Sequence, residues 1–216
     1  MEERAVGPKS LRGLIPWVQV GLAVALSACT VTSQTPLFKP EEAASPPLAP
    51  GRWALHGAGC DVTPYQPLPG CAVPFAVEGD RIIPAKASDA IFPVGSPAAS
   101  GTGATSVPSV FLLVKGDPQI LQFADLTPPA TSADTPPPPV TYMAFRPRHQ
   151  NEAGQTDRGI LWPIVCPKDV SATPGLKGLG QACQATTPAA VRDLARTIPP
   201  LLSVFMTWTG PAKSDP

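Results

Sequence analysis

The chain has 216 residues, with 16 Lys and Arg against 16 Asp and Glu, and two histidines, His56 and His149. Zero formal charge removes the electrostatic reason to expect a nucleic-acid partner, and two imidazoles exclude a site built from several. Proline stands at 31 residues beside 18 glycines, against an ordinary proline share of about 5%, which argues against a helical bundle and for short strands, turns and irregular linkers.

Residues 1–13 are mildly basic, with Arg4, Lys9 and Arg12 against Glu2 and Glu3. From Leu14 to Ala28 the chain carries no charge. As a helix that run would span about 22 Å, short of the ~30 Å hydrocarbon core, and Pro16 interrupts it. A charged start, a short apolar run and small residues at its exit predict a secretory signal peptide over residues 1–28. The exit, Leu26-Ser27-Ala28-Cys29, resembles the lipobox of bacterial lipoproteins. The resemblance implies a diacylglyceryl thioether on Cys29, cleavage before it, and acylation of the new amino group. The residue types suit that chemistry: Ser27 and Ala28 are small beside the scissile bond, and the Cys29 thiolate is a good nucleophile. Each buried CH₂ contributes ~0.8 kcal/mol, so two or three acyl chains hold a protein on a bilayer essentially for good. The residue after Cys29 is Thr30 rather than Asp. By the sorting pattern of enteric lipoproteins this implies the outer membrane, on its periplasmic face, with the inner membrane as the alternative.

Residues 29–50 follow as an expected Pro-rich tether, with five prolines between residues 30 and 50 and few apolar side chains. Stretched out, it would reach about 70 Å. A single β-rich domain is expected over residues 51–210, and a disordered tail over 211–216. Gly51-Arg52-Trp53-Ala54-Leu55 opens the domain. Phe75–Val77 and Arg81–Ile83 flank Glu78-Gly79-Asp80, and Val110–Lys115 and Gln119–Ala124 flank Gly116-Asp117-Pro118; both read as hairpins. Val140–Phe145 and Ile160–Cys166 read as a third pair joined by a polar connector, Arg146 to Gly159. Ser96–Pro108 and Pro128–Pro139 read as mobile loops, the second ending in four prolines that suit a solvated spacer. Thr187 is an N-cap and Pro188 a first helical residue; Val191, Leu194, Ala195 and Ile198 share one face, and Pro199-Pro200 stops the helix. A last strand runs from Leu201 to Thr209, with Val204, Met206 and Trp208 alternating against their neighbours. The pattern predicts a mainly β fold: an antiparallel meander, small barrel or sandwich, with one C-terminal helix and Pro-rich loops.

With Cys29 acylated, Cys60, Cys71, Cys166 and Cys183 remain, an even number that implies two disulfides in an oxidising compartment. Pairing Cys60 with Cys71 and Cys166 with Cys183 closes the shortest loops; the two crossed connectivities stay open. No C-x₂-C spacing is present, which argues against zinc, and no cofactor or metal is expected. No G-x-S-x-G, H-E-x-x-H or P-loop occurs. His149 with Asp157 would suit a hydrolase only beside a serine nucleophile, and both histidines read as solvated. Arg146, Arg148 and Arg158 read as a charged, soluble loop. Gly51-Arg52-Trp53 resembles the Gly-x-Trp near the first strand of lipocalins and of small periplasmic barrel inhibitors of metalloproteases, which would imply a binding module for an apolar ligand or a protease. The simpler expectation for Trp53 is a core residue closing one end of a sheet. The tether followed by Pro50-Gly51-Arg52-Trp53 resembles lipoproteins of high-GC proteobacteria, a likeness that carries no activity with it. The expected function is therefore a lipid-anchored, non-enzymatic structural or interaction module of the cell envelope. Its partners would be the membrane through its lipid anchor, an envelope protein, and no nucleic acid.

Overall fold

The computed structural model describes residues 30–84, 109–125, 138–179, 182–197 and 203–212. The signal-peptide, Cys29 and Ser96–Pro108 expectations, most of the Pro128–Pro139 loop, the Pro199-Pro200 stop and residues 213–216 lie outside them.

Eleven strands and one helix form the described structure. The strands are β1 (Val31–Ser33), β2 (Gly51–His56), β3 (Ala72–Glu78), β4 (Arg81–Pro84), β5 (Ser109–Val114), β6 (Gln119–Asp125), β7 (Val140–Gln150), β8 (Thr156–Pro163), β9 (Leu176–Leu179), β10 (Ala182–Ala185) and β11 (Val204–Gly210). The helix, α1, spans Pro188–Thr197. Strands β2 to β8 run as an antiparallel meander, β11 fits between β8 and β2, and β6 pairs with β7, so eight strands close into a barrel. The expected mainly β fold with one C-terminal helix is the observed one, and its barrel form is the one adopted.

Alternation drives the closure. Trp53, Phe75, Val77, Ile82, Phe111, Leu113, Leu121, Phe123, Phe145, Leu161 and Met206 are buried in one apolar cluster drawn from all eight barrel strands. The two expected hairpins stand where the period-two pattern places them, with Val77 facing Ile82 and Leu113 facing Leu121. The third hairpin departs from expectation. Arg146–Gly159 is not a connector: β7 and β8 continue through it as a bulged ribbon, pairing Arg146 with Ile160 and His149 with Arg158, and only the tip around Asn151–Gln155 turns. Arg146, Arg148, His149, Gln150 and Arg158 are exposed along this ribbon, so these side chains are polar without being loop residues, while Thr156 and Gly159 are buried.

A second apolar cluster lies on the outside of the barrel. Strand β1 pairs with β7 and, in parallel, with β10, which pairs with β9. This three-stranded leaf and α1 bury Val31, Val140, Tyr142, Ala144, Trp162, Ile164, Cys183, Val191 and Leu194 together. The helix begins as expected: Ala190 N–H donates to Thr187 Oγ1 at 3.3 Å. Arg192 does not face water alone; it donates to Lys115 O and to Glu42 Oε1, at 2.7 and 3.0 Å.

The expected tether is overturned. Residues 30–50 belong to the folded domain, which begins with β1 rather than at Gly51. Five prolines break any long ladder, but between them single apolar residues come down onto the barrel, leaving Val31, Phe38, Leu48 and Ala49 buried. Polar side chains fix the path. Gln122, 7% exposed, accepts at Oε1 from the N–H groups of Leu37 and Phe38, both at 3.0 Å, and returns a bond from Nε2 to Phe38 O at 3.2 Å. Leu37 N–H also reaches Tyr142 Oη at 3.2 Å. The Tyr142 hydroxyl lies 2.6 Å from Ser33 Oγ, and Ser33 gives its own proton to Thr35 O. Beyond Phe38 the strap meets Arg192 through Glu42, whose carboxyl is held below its usual pKa by the Lys39 N–H and then by Arg192. It then crosses the barrel end. Ala44 N–H donates to Leu113 O and Ala49 N–H to Thr156 O, and Leu48 and Ala49 join the interior cluster as its lid.

Replacing Gln122 by Ala leaves the Phe38 N–H and carbonyl unpaired, at about 1–3 kcal/mol for each group left unsatisfied, while the Leu37 N–H keeps Tyr142 Oη. Gln122→Ala should lower the unfolding free energy by about 2–4 kcal/mol in urea titration and open the Phe38 peptide bond to chymotrypsin. An unchanged midpoint with Phe38 still protected would mean that the strap does not depend on this clamp. A second outcome concerns Tyr142, whose phenol is pushed above its ordinary pKa by burial. The unfolded chain ionises first, so stability is fully present below about pH 10 and falls as pH rises above it. The phenolate absorbance lost in Tyr142→Phe should therefore appear at higher pH than that of a free tyrosine.

Candidate functional site

Cys29 precedes the described residues by one position, and Thr30 is already part of the fold. Thr30 forms an antiparallel bridge with Val165, and Val31 N–H donates to Ile164 O at 2.8 Å. The attachment point implied by Leu26-Ser27-Ala28-Cys29 is thus the start of β1.

The four remaining cysteines pair locally. Cys60 bonds Cys71 across the long β2–β3 loop, and Cys166 bonds Cys183. Of the three connectivities the sequence left open, this is the one with the shortest loops. The second disulfide is part of the leaf: Cys183 is fully buried on β10, in register with Val31, and Cys166 Sγ lies 3.8 Å from Thr30 O. It joins the segment after β8 to the strand beside β1, closing the leaf onto the barrel.

His149 and Asp157 do meet. His149 Nδ1 donates to Asp157 Oδ1 at 2.7 Å across the β7–β8 ribbon. The pair borders an open cleft of about 720 Å³ lined by Pro64, Tyr65, Gln150, Asn151, Glu152, Ala153 and Trp208. No serine, threonine or cysteine stands among those residues, so nothing in the cleft wall supplies the nucleophile that a His–Asp pair would activate. His56 is tied elsewhere: Nε2 lies 3.0 Å from Thr207 Oγ1 and the ring stacks on Phe205. Arg146 sits over the Trp162 ring and 3.6 Å from Asp117, while Arg148 and Arg158 are exposed on the ribbon. Among the described residues no three His, Cys, Asp or Glu side chains gather as metal ligands.

Trp53 is a core residue. It is fully buried, stacks on Phe75 and donates from Nε1 to Ala49 O at 2.8 Å. On the outer wall above it, Arg52, Pro74, Ala76 and Ile83 together with Gln66, Pro67 and Leu68 bound a second cleft of about 550 Å³, mostly apolar in its walls. The sequence reading missed both clefts. Tyr65, 73% exposed with φ +64°, stands edge-on to Trp208, which anchors its Nε1 on Pro50 O. These residues come from a Pro-rich loop and a terminal strand that only the barrel brings together, and no spacing announces them.

No family model matches the chain, and comparison with curated proteins and with solved structures finds none that is similar.

Both disulfides should be complete in the protein folded under oxidising conditions, so titration of the denatured, unreduced chain finds no thiol from Cys60, Cys71, Cys166 or Cys183. Replacing Cys166 and Cys183 together by Ala should lower stability by about 3 kcal/mol on loop closure alone. Four titratable thiols, or an unchanged unfolding midpoint in the double variant, would remove the staple.

Proposed function

We propose that the protein is a lipid-anchored lipoprotein of the bacterial cell envelope, whose barrel is a non-enzymatic structural or interaction module. It works in the periplasm, attached to the outer membrane. The observation that carries this reading is Leu26-Ser27-Ala28-Cys29 at the end of an uncharged 15-residue run. Two disulfides fit an oxidising compartment. Among the described residues no helix is long and apolar enough to cross a membrane, so in this reading attachment rests on the acyl chains. A structural or binding role suits a barrel whose interior is packed with side chains and whose clefts open on its outer surface. A second reading, a binding module for an apolar ligand, is favoured by the wall of Pro67, Leu68, Pro74, Ala76 and Ile83 around the 550 Å³ cleft.

Cys29→Ser, expressed in a bacterium with lipoprotein processing, should accumulate as the full-length precursor and take up no labelled palmitate. The unaltered chain should be shortened and labelled. Normal shortening of the Cys29→Ser protein, or no label on the unaltered chain, would remove the anchor.

A further inference from the structure

The absence of slack between Cys29 and the fold has a geometric consequence for any membrane-bound form. Consecutive Cα atoms are about 3.8 Å apart, and Thr30 is held by its bridge to Val165. A lipid on Cys29 therefore emerges within a few ångströms of the start of β1. Strand β10 runs parallel to β1 with Val31 beside Cys183, so Thr30 is level with Ala182, and Ala182 is paired with Leu179 on β9. Two interstrand steps of about 4.8 Å each place the Leu179 backbone about 10 Å from that of Thr30.

This hairpin carries side chains suited to a bilayer surface. Leu179 is 53% exposed, and among the described residues only Tyr65 is a more exposed large apolar side chain. Lys177 is exposed on the same strand, and Lys168, also exposed, lies two residues beyond Cys166. Asp169 offsets the Lys168 charge, but it is engaged locally by Ser171 and the Ala172 N–H. An exposed leucine beside lysines matches the boundary between acyl chains and anionic headgroups. The leaf grows from β7, and in the eight-strand barrel β3 lies four strands from β7 in either direction, on the opposite wall.

Resting on the lipoprotein reading, we propose that the β9–β10 edge of the leaf, led by Leu179 and Lys177, is the membrane-facing surface of this protein. It lies in the headgroup layer of a bilayer containing anionic phospholipid. The β2–β3–β4 wall, with the cleft between Arg52, Ala76, Ile83 and Leu68, then faces away from the bilayer and is the side open to a soluble partner.

The test uses the acylated protein in vesicles of phosphatidylethanolamine and phosphatidylglycerol. The photoreactive residue p-benzoylphenylalanine replaces either Leu179 or, on the opposite wall, Glu78; both positions are exposed, so neither change disturbs packing. Irradiation should attach phospholipid at position 179 with a yield roughly ten-fold or more above that at position 78. A flexible Gly-Ser spacer inserted between Cys29 and Thr30 should abolish most of that contrast while palmitate labelling persists. Palmitate-labelled protein with equal yields at the two positions overturns the orientation alone, and a contrast that the spacer leaves intact overturns its dependence on the short link at Cys29. Absence of palmitate label overturns the lipoprotein reading and the orientation with it.

Discussion

One buried glutamine fixes the path of the strap that precedes β2. Gln122 and Tyr142 project from the outer faces of β6 and β7 and are buried there. An amide and a phenol buried on apolar ground cost several kcal/mol unless something bonds them. The N-terminal strap supplies the partners: Leu37 and Phe38 offer two N–H groups and a carbonyl to Gln122, and Ser33 and Leu37 meet Tyr142. The requirement is mutual, because a Pro-rich strand cannot satisfy its own backbone by a ladder. Strap and barrel are each incomplete alone, and the interior cluster follows the same rule, since Leu48 and Ala49 close the barrel end from the strap side.

This dependence explains why the sequence was legible in some places and opaque in others. The hairpins around Gly79-Asp80 and Gly116-Asp117 rest on local causes, strict alternation and a turn, and a local reading finds them. So does the helix start at Thr187. Strand β1 has three residues, two of them hydroxylic, and it exists through partners more than a hundred residues away on β7 and β10. Nothing in Val31-Thr32-Ser33 carries that information. The β9 strand, Leu-Lys-Gly-Leu, is equally silent; it is held by β10, which is tied to Cys166. In the β7–β8 ribbon the polar composition suggests a loop, because the buried positions there are Thr156 and Gly159 and neither supplies a hydrophobic period to detect.

The same division applies to the candidate site. Cysteine spacing made the local disulfides the cheapest option, and those are the ones formed. The contact between His149 and Asp157 was visible as a pair eight residues apart, yet the sequence could not say that a ribbon would hold them face to face. Tyr65, Trp208 and the outer-wall cleft were invisible, since Pro64–Leu68 and β11 are joined only by barrel closure.

In the proposed lipoprotein, the position of Cys29 also bears on how the domain would carry load. A pull on residue 29 enters at Thr30 and runs into β1, which is flanked by β7 on one side and by parallel β10 on the other. Load directed along the strand axis falls on several interstrand bonds together rather than on one at a time. Beyond β1 stand the Gln122 and Tyr142 bonds, the buried Phe38 and the Arg192–Glu42 pair. The Cys166–Cys183 disulfide sits beside the point of entry and links β10 covalently to the segment leaving β8. A long tether would leave a bilayer and a domain mechanically independent; a lipid on residue 29 would instead lead directly into β1, which is paired on both sides. In the proposed lipoprotein, an anchor at Cys29 would fix an orientation as well as a location, through bonds that the fold already needs in order to bury its own glutamine and tyrosine.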